Sequence, residues 1–128
     1  MTDQPAMSPD DWAEVLRYSD VIRAGDMLYL SGQVGLDDNG VPQADPAAQF
    51  RAAFAKIAEV LATVGATPED VVDLTSFHVD YPSNMEAFFA AKNEFQGAGR
   101  PAWTAVGVAS LAMPATLVEI KAVAYKPA

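Results

Sequence analysis

The sequence predicts an α+β fold in a single domain. Three observations lead there. The chain of 128 residues reads as strand, strand, helix, strand, helix, strand, strand; it has no internal repeat; and its strands are apolar on both faces. The length suits one compact domain spanning residues 1–128.

Each element has its own signal. The opening "MTDQPAMSPDDW" is polar and proline-bearing, which predicts a loose tail up to about Trp12. A first strand is expected over Tyr18 to Ile22, and Gly25 and Asp26 of "RAGD" mark a tight turn after it. "MLYLSGQVGL" follows as a second strand, with Met27, Tyr29 and Ser31 facing one side and Leu28 and Leu30 the other. Gly32 interrupts it and predicts a bulge or a close backbone approach. Asn39-Gly40 closes the segment as a turn.

Asp45-Pro46 predicts a helix start, because a capping carboxylate precedes a proline whose missing N–H costs nothing in the first turn. Phe50, Phe54, Ile57, Leu61 and Val64 recur at helical spacing and form one apolar stripe. Gly65 is expected to end that helix as a left-handed cap. "TPED" reads as a helical turn or loop and "VVDLTSFHV" as a strand. Ser83 with Glu86 has capping-box spacing, predicting a second helix through about Phe95 that turns Met85, Phe88, Phe89, Lys92 and Phe95 inward. "RPAWTAVGV" and "TLVEIKAVAY" supply the last strands.

Two helices cover one sheet face. The other remains apolar, and no third helix exists to cover it, so the sequence predicts an obligate homo-oligomer with sheets packed against neighbours.

Composition narrows the function classes. The formal net charge is −9, and the eight cations Arg17, Arg23, Arg51, Lys56, Lys92, Arg100, Lys121 and Lys126 are scattered singly. Nucleic acids and anionic membranes are bound through clustered cations, so neither is an expected partner. The absence of cysteine removes disulfides, thiol nucleophiles and thiolate metal sites, and fits a cytoplasmic protein. The N-terminus lacks the basic and apolar regions of a secretory signal, and no apolar run reaches membrane-spanning length.

Few residues carry recognisable chemistry alone. His78 is the only histidine; beside Ser76 and Asp80 it could form an acid–base pair, but it reads better as a polar residue on a strand surface or edge. No spacing of ligand residues suggests a metal, and neither a phosphate-cradling glycine loop nor a GxSxG elbow occurs, so no cofactor is expected. Glu119 sits in a mostly apolar strand on the face of Leu117, Lys121 and Val123. It is either an ion-pair partner of Lys121 or a neighbouring strand, or a pocket carboxylate with a raised pKa; both readings stay open. Trp103 is the bulkiest side chain available, set among Ala102, Thr104 and Ala105.

Together these segments resemble the RidA/YjgF family over about Tyr18 to Tyr125. The landmarks are the SGQ tripeptide at Ser31 to Gln33, the helix ending at Gly65, the RPA turn at Arg100 to Ala102 and the final VEIKAVA strand. The resemblance implies a chorismate-mutase-like fold with a mixed sheet and two helices on one face. It also implies a homotrimer with a small-molecule pocket at each subunit interface, and cofactor-free hydrolysis of reactive imines and enamines with release of ammonia. Carried over by position, Tyr18, Ser31, Gly32 and Glu119 match pocket residues, Glu119 and Tyr18 as the catalytic pair. The arginine that clamps the substrate carboxylate in relatives acting on 2-imino acids is replaced by Trp103, and the pocket asparagine of some members falls at Phe89. Losing a charge-assisted clamp costs roughly 2–5 kcal/mol of binding. The expected function is therefore a hydrolase or deaminase for an imine or enamine that is less anionic or more aromatic than those substrates. A non-catalytic, metabolite-binding trimer is the alternative, and an endoribonuclease the weaker third reading. Trp103 packed into a closed interface is the bland outcome for the site.

Overall fold

The computed structural model describes residues 11–128; the predicted N-terminal tail otherwise lies outside the described residues. From Trp12 the chain is ordered into a one-turn helix, α1 (Trp12–Val15). The sheet strands are β1 (Val21–Ala24), β2 (Met27–Leu30), β3 (Val71–Val79), β4 (Ala102–Val108) and β5 (Val118–Tyr125), and the long helices are α2 (Pro46–Ala62) and α3 (Met85–Gln96). The spatial order is β1-β2-β5-β3-β4. All neighbours are antiparallel except β3 and β4, which run parallel with α3 as their crossover. The predicted α+β class holds, with a mixed sheet.

Helix α2 forms where its caps dictate. The Asp45 carboxylate accepts a hydrogen bond from the Ala48 N–H at 2.9 Å. At the other end the Ala66 and Gly65 amides reach back to the carbonyls of Leu61 and Ala62, with Gly65 at φ 75°. That pair of bonds satisfies carbonyls that a helix end otherwise leaves open. The predicted turn at "TPED" is a short 3₁₀ helix (Pro68–Asp70).

Strand alternation divides the side chains cleanly. Val118, Ile120, Ala122 and Ala124 of β5 are fully buried with Leu28 and Leu30 of β2, under α2 and α3. Phe50, Phe54, Phe88 and Phe95 interlock between the helices, their ring centroids 4.8–5.5 Å apart along the chain of contacts. On the other face, Ile22, Tyr29 and Tyr125 stay about half exposed and Val123 is partly covered, which is the uncovered apolar face that the pattern predicts.

Four expectations need correction. The first strand begins at Val21, not Tyr18, because Arg17 adopts φ 60° and the Tyr18 amide is drawn back to the Ala13 carbonyl. The Ser83–Glu86 capping box does not form: Ser83 closes a turn onto the Asp80 carbonyl, and α3 starts after Asn84 at φ 64° without a side-chain cap. Phe89 is 45% exposed, since the buried stripe of α3 runs through Phe88, Ala91 and Lys92, leaving Phe89 on its flank. His78 is not at the surface but buried on the helix side of β3.

Gln49 is a core residue that periodicity did not reveal. It is buried on α2, donates from Nε2 to the carbonyls of Gln43 and Ala115, and accepts from the Leu117 amide. One side chain thereby fastens the loop after β2 and the loop before β5, the two segments that border the candidate site.

Candidate functional site

The six residues singled out from sequence fall into two groups on different faces of the sheet. Tyr18, Ser31, Gly32 and Glu119 gather at the end of β2 in a cleft of about 870 Å³. Its volume is within the range of small-molecule sites.

Backbone geometry builds this cleft. The Ser31 amide donates to the Asp20 carbonyl at 2.9 Å, and the Ser31 hydroxyl donates to the Ser19 carbonyl at 2.6 Å. Two residues on, Gln33 and Ile120 exchange amide–carbonyl bonds of 2.8 and 2.9 Å. Gly32 is thus pinned across β5, directly against Glu119. A Cβ at Gly32 would lie 2.6 Å from Glu119 Oε2 and 2.8 Å from its Cδ, so the carboxylate can hold this place only against a glycine. The predicted close approach at Gly32 is real, and what approaches is the Glu119 carboxylate.

Glu119 is half-buried on the open face, paired in register with Phe77. The ion-pair reading with Lys121 does not hold: Lys121 Nζ donates instead to the Leu30 carbonyl at 3.1 Å. The ion pairs among the described residues are Lys56–Glu59 and Lys126–Asp70. Glu119 is therefore an uncompensated carboxylate. Burial, and then the negative charges of Asp20 and Glu119, push the Tyr18 phenol above its ordinary pKa of 10.0. The phenol stays protonated at neutral pH and can donate.

The rest of the cleft is acidic. Asp20, Asp37, Asp38, Glu59 and Glu119 line it, against Lys56, whose Nζ sits 3.6 Å from Glu59. Asp37 is engaged by the Asn39 and Val41 amides, which hold the loop that forms the rim. Such a cleft favours neutral or cationic groups over anions. Among the described residues no three histidine, aspartate or glutamate side chains converge as metal ligands.

Trp103 and Phe89 are absent from that cleft. Trp103 pairs in register with Leu74, so its indole points to the helix side, opposite to Glu119. Its Nε1–H donates to Ser76 Oγ at 2.9 Å, and Ser76 Oγ is 2.7 Å from His78 Nε2. The indole stacks on Phe88 and meets Phe89 edge-on, both with centroids 5.9 Å away. Lys92 Nζ stands 4.6 Å from the indole centroid. Trp103 and Phe89 therefore meet each other, at the sheet edge formed by β4. Within one chain they do not meet Glu119. Sequence reasoning missed Ser76 and Lys92 as members of this group. Alternation placed Ser76 beside His78, but nothing in the pattern said that a tryptophan from the next strand would bond to it.

The known proteins most relevant to this geometry agree on its origin. The family model described as endoribonuclease L-PSP matches residues 10–126. The RutC family protein YjgH of Escherichia coli is 46% identical over 97 residues, covering 75% of this chain and 74% of that protein. The solved structure of protein YJGH superposes with a TM-score of 0.82 at 43% identity, covering 97% of this chain and 94% of the other. Rv2704 of Mycobacterium tuberculosis, described as a member of the YjgF/YER057c/UK114 family, has a TM-score of 0.82 at 31% identity, covering 92% and 94%. Matched by this family model over residues 10–126 and by these relatives in sequence and fold, the chain belongs to the RidA/YjgF family, the family of endoribonuclease L-PSP.

Proposed function

We propose that this protein is a cofactor-free hydrolase of the RidA type that converts a small imine or enamine and water into a carbonyl compound and ammonia. The observation that carries the reading is the Glu119 carboxylate, uncompensated and laid against Gly32 in a cleft with Tyr18 and Ser31. In this reaction Glu119 takes a proton from water as the water oxygen bonds to the imine carbon and returns it to the nitrogen; the hydroxyl proton of the resulting carbinolamine then also passes to the nitrogen by way of Glu119, the carbon–nitrogen bond breaks, and the carbonyl compound and ammonia are released. Tyr18 donates to the developing negative charge, and the Ser31–Gly32 backbone orients the polar end of the substrate.

The reading includes a homotrimer with the site at the subunit interface. Two features support it: the half-exposed Ile22, Tyr29 and Tyr125 leave an apolar sheet face to be covered, and the Glu119 and Trp103 groups need a second copy in order to face one cavity. Trp103 in place of an arginine, together with the acidic cleft, disfavours the small aliphatic 2-imino acids. The substrate carries less negative charge or an aromatic group able to stack on Trp103.

The test is ammonia release from imines generated in place by an amino-acid oxidase with catalase present, across acidic, aliphatic and aromatic side chains. Wild type is expected to act, most rapidly on aromatic imines, and Glu119→Gln to lose at least about 10²-fold. An unchanged rate in Glu119→Gln overturns the reading. The internal bonding of Trp103 favours a second reading, a trimer that binds a metabolite without turning it over. Its signature is ligand-dependent thermal stabilisation with no product.

A further inference from the structure

We propose that Trp12 is a specificity-determining residue of the cleft, and that the substrate is an imine or enamine carrying a flat, uncharged ring that lies on the Trp12 indole. The turnover of that substrate rests on the hydrolase reading, but the ring site stands on its own observations.

A helix of four residues has no stability of its own, and α1 contributes no buried residue to the core. Glu14, Val15, Leu16 and Arg17 are exposed; only Trp12 and Ala13 are partly covered, and both line the cleft that holds Glu119. What α1 rests on is therefore the wall of the cleft. The chain then doubles back, with Arg17 at φ 60° and the Tyr18 amide donating to the Ala13 carbonyl at 3.0 Å. That bend presents the Trp12 indole and the Tyr18 phenol to one cavity, beside Ser31 and Gly32. At about 870 Å³ the cleft is toward the upper end of small-molecule sites, so it has room for a ring besides the reacting carbon. A half-buried indole facing that space leaves apolar surface in water, and a ring laid on it removes that surface from water.

The two tryptophans differ in what already occupies them. Trp103 lies toward the helix side of the sheet, with its N–H donated to Ser76 Oγ and its ring stacked on Phe88. Trp12 takes part in none of the ring contacts among the described residues. With Tyr18 it supplies the aromatic lining of the cleft. A flat ring gains an attraction to an indole beyond the area it covers, whereas a saturated ring of the same size gains the area alone. Asp20, Asp37 and Asp38 share the cleft and turn away an anionic ring. The reacting carbon belongs beside Glu119 and Tyr18, and the ring toward Trp12.

The experiment titrates phenylacetone and cyclohexylacetone, neutral ketones of similar size that differ in whether the ring is flat, into the full-length protein. The chain has two tryptophans, so two indole N–H resonances report binding in the NMR spectrum without turnover, and Trp12→Phe assigns them. Wild type is expected to prefer phenylacetone by about three- to tenfold, with the Trp12 resonance shifting. Trp12→Leu should remove that preference at a urea midpoint close to wild type, and Trp12→Phe should keep part of it. Leu16→Ala, at an exposed position just after α1, should keep it whole. A preference that persists in Trp12→Leu overturns the proposal, as does equal affinity of wild type for the two ketones, the absence of binding, or a shift of the Trp103 resonance alone. Trp12-dependent binding with no ammonia released from the oxidase-generated imines would overturn the hydrolase reading while leaving the ring site standing.

Discussion

The Glu119 cleft and the Trp103 cluster are built in opposite ways. In the cleft a glycine removes its own side chain so that a carboxylate can rest against bare backbone, and polar groups are left without partners. In the Trp103 cluster every group is engaged: indole to serine, serine to histidine, lysine to glutamine, rings to rings. One region leaves a carboxylate outside the ion pairs among the described residues, and the other commits its polar groups to packing.

The largest effect that would sharpen this comparison is at Gly32. In Gly32→Ala the new methyl would meet Glu119 Oε2, Cδ and Cγ, all within 2.9 Å. These are the far end of a flexible side chain, so the fold survives and the carboxylate swings away. Displacing a catalytic group by about 1 Å costs on the order of 10²-fold in rate. The expected outcome is that loss in kcat/KM with a urea midpoint close to wild type. Normal activity in Gly32→Ala would mean that the Glu119–Gly32 contact is merely tight packing.

The contrast between the regions also explains what could be read from sequence. Residue pattern alone did not assemble the cleft: Tyr18, Ser31, Gly32 and Glu119 were grouped through the family resemblance, whose landmarks are local, with Ser31 and Gly32 in one tripeptide and Glu119 in one strand. The α2 helix was legible from its own residues, its caps and stripe being contiguous. The Trp103 cluster was not, because its hydrogen bonds cross strands. Ser76 and Trp103 are 27 positions apart, and only the parallel pairing of β3 with β4 makes them neighbours. His78 was misread because a lone histidine in an alternating strand gives no sign of which face is covered. Phe89 was misread because two adjacent phenylalanines cannot both occupy one helical stripe, and spacing alone did not choose between them. The Gln49 tie joins residues up to 68 positions apart, which no local pattern encodes.

A smaller effect tests whether the Trp103 cluster is as tightly bonded as its contacts suggest. Ser76 is fully buried and its hydroxyl is shared by two partners. Ser76→Ala leaves the indole N–H and His78 Nε2 without that partner. Such losses cost roughly 1–3 kcal/mol for a buried group. Urea denaturation should show destabilisation in this range, with the rate on imines falling far less than in Gly32→Ala. Equal damage to rate and stability would instead tie Ser76 to the chemistry and erase the division between the two regions.

The smallest predicted effect concerns the pH dependence of the same network. Trp103 donates to Ser76 Oγ, and the same oxygen shares a hydrogen bond with His78 Nε2 whose direction follows the histidine tautomer. Phe88 lies edge-on at 4.6 Å and Tyr81 at 5.8 Å, offering the ring no counter-charge. Burial lowers the His78 pKa from its ordinary 6.5. Above pH 6.5 the imidazole is neutral in both folded and unfolded chains, and the contribution of His78 to stability is fully present. As pH falls through that value the unfolded chain takes up the proton first, so stability declines until the lower folded pKa is passed and then levels off. Urea midpoints at about pH 7.5 and about pH 5.5 should therefore differ more in wild type than in His78→Phe, where this titration is gone but the carboxylates are unchanged. If the two proteins lose the same stability over that interval, the imidazole accepts its proton without disturbing Ser76, and the Trp103 cluster is looser than its hydrogen bonds imply.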